Sequence, residues 1–170
     1  MLTGRNLGGE QMAQSQDSEN TDWYKAVRKL KWGFLSKFNT AFIAEVVDYD
    51  KKKHIATVLP LAESSSGEVS AQYLDVPVSE NCYMIDEIIK RLKPELTKID
   101  KKCGSKIVKK LPKKQLMRKG VPVVAVVLDR DNDNWEGGRA TNAYMPNSSR
   151  LHDANDAIII GVLGGDAKNG

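Results

Sequence analysis

Long apolar runs are missing from this sequence. The longest, Val121 to Leu128 and Ala157 to Leu163, are strand-length, well short of the roughly 18 to 20 apolar residues that a membrane-spanning helix needs. The first twenty residues are polar and hold no apolar stretch, so a secretory signal is not expected there. Cysteine is scarce as well. Cys82 and Cys103 are the only two, and a pair in an unsignalled chain is expected to remain as free thiols. His54 and His152 are the only histidines, and neither a C-x-x-C nor an H-x-x-x-H spacing occurs, which excludes the usual zinc frameworks.

Catalytic settings are missing too. His152 stands near Asp153 and Asp156, a base beside two orienting carboxylates, but no G-x-S-x-G or Cys–His nucleophile accompanies it. A turn-fixing or interface role is the plainer reading. The run Asp129-Arg130-Asp131-Asn132-Asp133 lacks the glycine and distal glutamate of a calcium loop, so a solvated turn with an internal Asp–Arg pair is expected. Ser64-Ser65-Ser66-Gly67 and Gly137-Gly138 have no following Lys-Ser or Lys-Thr to make a phosphate loop. No catalytic residue, cofactor, metal or small-molecule substrate is therefore expected.

What the chain does have is unevenly placed positive charge. Its 170 residues carry a net +4. Between Asp86 and Lys119 stand 13 of the 26 Lys and Arg against four acids, a net +9 that leaves −5 for the remainder. The basicity belongs to one segment. Within it Lys101, Lys102, Lys106, Lys109, Lys110, Lys113 and Lys114 are the candidate contacts for a partner or an anion. No aromatic residue lies in that run, and Tyr83 is the nearest. Oligonucleotide-binding barrels combine a basic groove with stacking aromatics, and lysine suits diffuse attraction better than bidentate base reading. A solvated or partner-docking face is favoured, with nucleic-acid binding the alternative and Trp135 and Tyr83 its stacking candidates. A lone Trp after a strand is otherwise expected to plug a barrel.

Patterning divides the chain. Residues 1–20 read as a flexible arm, rich in Gly, Gln, Asn and Ser. Residues 21–38 read as an amphipathic helix, with Trp23, Val27, Leu30, Phe34 and Phe38 at spacings of three and four. Asn20 or Thr21 is a fitting N-cap and Asp22 a fitting first-turn acid. The stripe serves either core packing or docking onto another subunit. A barrel domain is expected over 39–163, with an insertion over 81–119, and a tail over 164–170. Strands are expected at Ala41–Asp48, His54–Leu61, Tyr73–Val78, Val121–Leu128 and Ala157–Val162. In the first, Phe42, Ala44 and Val46 share a face, and a polar turn covers Asp48 to Lys53. In the insertion, Ile85, Ile88, Ile89, Leu92 and Leu96 fit a short helix that Pro94 kinks or ends, and Thr97 to Lys119 reads as loop and ribbon. Five short strands with little helix between them point to a mainly β fold, a small Greek-key barrel of the OB type.

Four phrases in order carry a resemblance. Ala44-Glu45-Val46-Val47-Asp48-Tyr49-Asp50 is answered by Ile55-Ala56-Thr57-Val58-Leu59-Pro60; Asp75-Val76-Pro77-Val78 follows; then Gly120 to Leu128 runs into Asp129-Arg130-Asp131-Asn132-Asp133-Asn134-Trp135; finally comes Arg150-Leu151-His152-Asp153-Ala154-Asn155-Asp156-Ala157-Ile158-Ile159-Ile160-Gly161. Together they resemble the N-terminal OB-fold domain of bacteriophage tail baseplate spike proteins of the membrane-puncturing family. The likeness covers about Phe42 to Val78 and Lys119 to Leu163. It implies a structural, non-enzymatic subunit of a virion tail baseplate, assembled in the host cytoplasm, trimeric about the tail axis and bound to hub and tube proteins, with only indirect membrane contact. Two departures stand out. Residues 81–118 replace a short Gly-rich connection, and no β-helix with a metal-binding tip follows the barrel, so a separate needle protein is expected to supply them.

Overall fold

The computed structural model describes residues 22–36, 38–62 and 70–164. The expected arm and all but Gly164 of the expected tail lie outside them. Two units divide between Phe38 and Asn39. The first is the helix α1 (Asp22–Leu35). Its apolar residues recur at three and four, the spacing that stacks side chains on one helix face, and Asp22 sits in the first turn, where a negative charge favours the helix dipole. No α1 side chain is buried.

The second unit is an antiparallel five-stranded sheet that curls into a half-barrel. Its strands are β1 (Ala41–Asp50), β2 (Ile55–Pro60), β3 (Tyr73–Pro77), β4 (Pro122–Val127) and β5 (Ala157–Val162), in the order β3-β2-β1-β4-β5. Phe42, Ala44 and Val46 do share the inner face of β1, with Ala44 and Val46 fully buried. A register shift at Val47 then reverses the alternation, so Tyr49 packs against the core. The expected turn is shorter than the polar run: β1 continues through Asp50, whose Oδ1 accepts the N–H groups of Lys52 (2.7 Å) and Lys53 (3.2 Å). His54, at φ +54°, completes the turn.

The core is narrow because its residues are small. Val46, Val58, Val76, Val123, Ala44, Ala56, Ala125 and Ala157 line it, with Ile159 the largest strand residue that is fully buried. Each buried valine contributes roughly 1.5 kcal/mol or more. The curl brings the two outer strands together where Val78 bridges Ile159 in parallel. Ser79 N–H donates to the Ile159 carbonyl at 2.9 Å, and the Asn81 side chain donates to that of Ile160 at 2.9 Å.

Between β3 and β4 lie a 3-10 turn (Glu80–Cys82), the helix α2 (Met84–Cys103) and the one-turn helix α3 (Ile107–Lys110). The expected short helix is thus 20 residues long and runs through Pro94, a span of about 30 Å. Pro94 removes one helical hydrogen bond. Beyond it, Thr97 Oγ1 donates to the Lys93 carbonyl at 2.7 Å and Lys98 pairs with Glu95 at 2.7 Å, and the helix stops at Gly104, in the left-handed conformation that glycine readily adopts. No α2 residue is buried. The arm is nonetheless rooted in the core at both ends, because Cys82 and Met117 are only 2% and 1% exposed. The expected insertion over 81–119 therefore contains two core residues. Their apolar neighbours lie on other strands, so no local period marks them.

Candidate docking surfaces

The lysine arm is built by its acids. Asp86 accepts the backbone N–H groups of Leu116 (2.8 Å) and Met117 (3.3 Å), which ties the returning chain to the first turn of α2. Asp100 does the same further out: it accepts Ile107 N–H at 2.9 Å, Val108 N–H at 3.0 Å and the Ser105 hydroxyl. Chiefly that hydroxyl, and then the two amides against opposing desolvation, holds the Asp100 carboxyl below its usual range. Glu87 faces Arg91 at 3.7 Å, and Glu95 faces Lys98. All four acids of the segment are thus engaged within it or at its root.

The lysines are left over. Lys101 and Lys102 occupy the last turn of α2, Lys106 precedes α3, Lys109 and Lys110 end it, and Lys113 and Lys114 lie on the return. All seven are exposed, and none makes an ion pair with a described residue. Like charges brought together on one arm attract a polyanion or an acidic surface without specifying its detail.

At the root of the arm is a cluster that the sequence did not announce. The His54 ring stacks on Tyr83 with centroids 3.8 Å apart and planes at 7°. Its Nδ1 shares a 3.1 Å hydrogen bond with Tyr49 Oη, and its Nε2 lies 3.9 Å from Glu87. Burial, with Tyr83, Asp86 and Glu87 nearby, pushes the Tyr49 phenol up to about 12. These groups lock α2 to the β1–β2 turn. Nearby, Ile85, Ile89, Leu116, Val121, Val162 and Leu163 line a cavity of about 360 Å³ with Lys114 and Arg118 at its edge.

The loop between β4 and β5 carries a second charged cluster. Asp131 and Asp156 are buried, and Arg150 reaches both, along with Asp133. Arg150 holds Asp156 through two bonds of 2.8 Å, and its guanidinium lies 3.0 Å from Asp133 and 3.3 Å from Asp131. The hydrogen bonds to Asp156 come first among the causes that raise the affinity of Arg150 for its proton. Asp131 also accepts the Ser148 hydroxyl at 2.6 Å and Asp133 N–H at 2.9 Å, which lower its pKa. The three carboxylates stand close enough to hold a cation, and the arginine is the cation they hold.

The expected Asp–Arg pair also exists, as Asp129 with Arg130 at 3.3 Å, but the buried aspartates use Arg150 instead. His152 faces another acid of the loop. Its Nε2 faces Asp129 at 3.1 Å, while Asp153 accepts Asn155 N–H at 2.9 Å and Asp156 takes Arg150. Trp135 does not plug the barrel. It is half-buried in its own loop, where its indole N–H donates to the Ala140 carbonyl at 3.4 Å.

The remaining candidate face is on α1. Trp23, Val27, Leu30 and Phe34 lie on one side of it, and these four, with Phe38 just beyond, are all exposed. Comparison with models of known protein families finds no match for this chain, and comparison with curated proteins finds none either.

Proposed function

We propose that the chain is a structural, non-enzymatic subunit of a phage or phage-like tail baseplate, an OB-fold spike or hub protein of the virion tail tip. Strand order is the observation that carries this reading. The sheet order puts β1, β2 and β3 side by side in sequence and β4 on the other side of β1, which is compatible with a Greek key and supports the reading of a partly open five-stranded OB barrel. The phrases that resemble the spike family fall on the β1–β2 hairpin, on β3, on β4 and on the approach to β5. Homotrimerisation and binding to hub and tube proteins follow from the same reading. The exposed lysines supply a surface for acidic neighbours.

Single-stranded nucleic-acid binding is the competing reading, and the same unpaired lysines favour it. The aromatics weigh against it. One face of Tyr83 is taken by His54, and the Trp135 indole is held to the Ala140 carbonyl, which limits both for base stacking. Two measurements decide. Co-purification with the neighbouring tail proteins, together with a trimer mass by light scattering, is the expected result. Fluorescence anisotropy with a labelled single strand should show weak binding that collapses between low and physiological salt. Sub-micromolar binding at physiological salt that is lost in Trp135→Ala, with the fold intact, overturns the proposal.

A further inference from the structure

The helix α1 gathers aromatic residues that the fold leaves exposed. Five of the chain's eleven aromatic residues fall between Asp22 and Phe38, including two of its three tryptophans. None is buried in the fold: Trp23 is 78% exposed and Phe34 69%. At roughly 100° per residue, Trp23, Val27, Leu30 and Phe34 fall within about 60° of one another. Lys25, Arg28, Lys29 and Lys31 lie outside that arc, and Asp22 is the only acid, so α1 carries +3 over 14 residues.

The charge and the apolar arc together select the partner. A second copy repels α1 at its lysine arm and attracts its cations over the rest of the sequence, which carries a net −8 (+4 less the arm's +9 and α1's +3), so self-association is measured alongside membrane partition. The buried Asp131 and Asp156 of the β4–β5 loop are engaged by Arg150. A surface that takes both an aromatic stripe and a surrounding ring of cations is a bilayer with anionic headgroups. Helices with Trp, Phe and Leu on one face and Lys and Arg on the rest lie in its interface, where indole and phenol rings settle at headgroup depth. Trp23 lies within the arc, whereas Tyr24 and Trp32 lie about 100° and 180° from it around the helix, among the cations.

We infer that α1 is an interfacial membrane helix that inserts Trp23, Val27, Leu30 and Phe34 among the lipids and sets its cations against anionic headgroups. This inference is independent of the baseplate reading, and it replaces indirect membrane contact with direct contact. The lysine arm adds attraction of the same sign but has no aromatic stripe to insert.

Flotation of the whole protein with vesicles tests it, using phosphatidylcholine alone and mixed in equal parts with phosphatidylglycerol. The wild type should float with the mixed vesicles only, with its tryptophan emission shifted to the blue. The double variant Leu30→Glu, Phe34→Glu should partition at least about tenfold less, since it removes two inserted side chains and adds two anions. Lys25→Glu should weaken partition by at least about fivefold, the worth of one cation at an anionic surface. A thermal melt and light scattering accompany each variant, and Val27→Ser repeats the test with a milder change. Failure of the wild type to float overturns the inference. So does flotation that survives the stripe variants and is lost only when the seven arm lysines are replaced. So does a stripe variant that floats normally but loses self-association, which assigns the face to a second copy.

Discussion

In the loop between β4 and β5, Asp131 and Asp156 are buried around Arg150, whereas in the arm between β3 and β4 seven lysines stand exposed with no acid opposite them among the described residues. Both segments are long connections rich in charge. The loop uses its charges on itself, because a buried carboxylate must find a cation or lose its ionisation. The arm uses only its acids on itself, chiefly to hold backbone N–H groups, and keeps its cations outside. Paired charge therefore marks where this fold is fixed, and unpaired charge marks where it is open to other molecules.

Breaking the buried pairing should have the largest effect. Arg150→Met leaves two buried carboxylates without their cation and should lower stability by about 3 kcal/mol or more, read by chemical denaturation at neutral pH. The Asp131 pKa is lowered in the fold, so its contribution is present above the ordinary carboxylate range and lost as pH falls through that lowered value. The gap between wild type and variant should shrink accordingly in acid. An unchanged midpoint at neutral pH contradicts the contrast between the two segments.

Cutting the root of the arm should come next. Met117→Ala empties a fully buried site and should cost about 2 to 4 kcal/mol, although the residue lies at the edge of a segment that reads as an insertion. A loss below 1 kcal/mol would mean that the arm is detachable at that point.

The Tyr49 phenol sharpens the same boundary from the alkaline side. Its pKa rises from an ordinary 10 to about 12, so the stability it contributes is complete below about 10 and lost as pH climbs through 12. A two-unit shift corresponds to about 2.7 kcal/mol, which partial exposure reduces to about 1 kcal/mol. Burial also raises the Tyr73 and Tyr83 phenols, so spectrophotometric titration should show several late-ionising tyrosines, of which the one near 12 is missing in Tyr49→Phe.

The smallest effect on stability belongs to the lysines. Replacing all seven by glutamine should change it by less than about 0.5 kcal/mol, with a slight gain as mutual repulsion falls. The same variant should lose its low-salt affinity for heparin or another polyanion.

The strands were legible because their apolar residues alternate or run together over short stretches, as in Val123-Val124-Ala125-Val126-Val127. So was the α1 stripe, whose spacing is local. Signals that depend on distant partners were not. Cys82 and Met117 look unremarkable in sequence, and only the barrel interior makes them core. Asp86 and Asp100 read as ordinary acids on a basic segment until the backbone returns to meet them. Pro94 looked like a kink or an end, but the helix carries on with Thr97 bonded to the Lys93 carbonyl and ends at Gly104. Arg150 stood in a recognisable phrase, yet its partners at 131, 133 and 156 could not be chosen from among the other acids of that loop.

The closure between β3 and β5 bears on how copies of this chain meet. An open sheet edge is a template for a further strand from another molecule. Here the two outer strands meet through the Val78–Ile159 bridge. Along β3, Leu74 and Asp75 stand together opposite Thr57 as a bulge, with Asp75 at φ +54°, and Pro77 supplies no N–H. An incoming strand would find neither a straight backbone nor an unbroken row of donors. Fibril-like growth by strand addition along this edge is therefore discouraged.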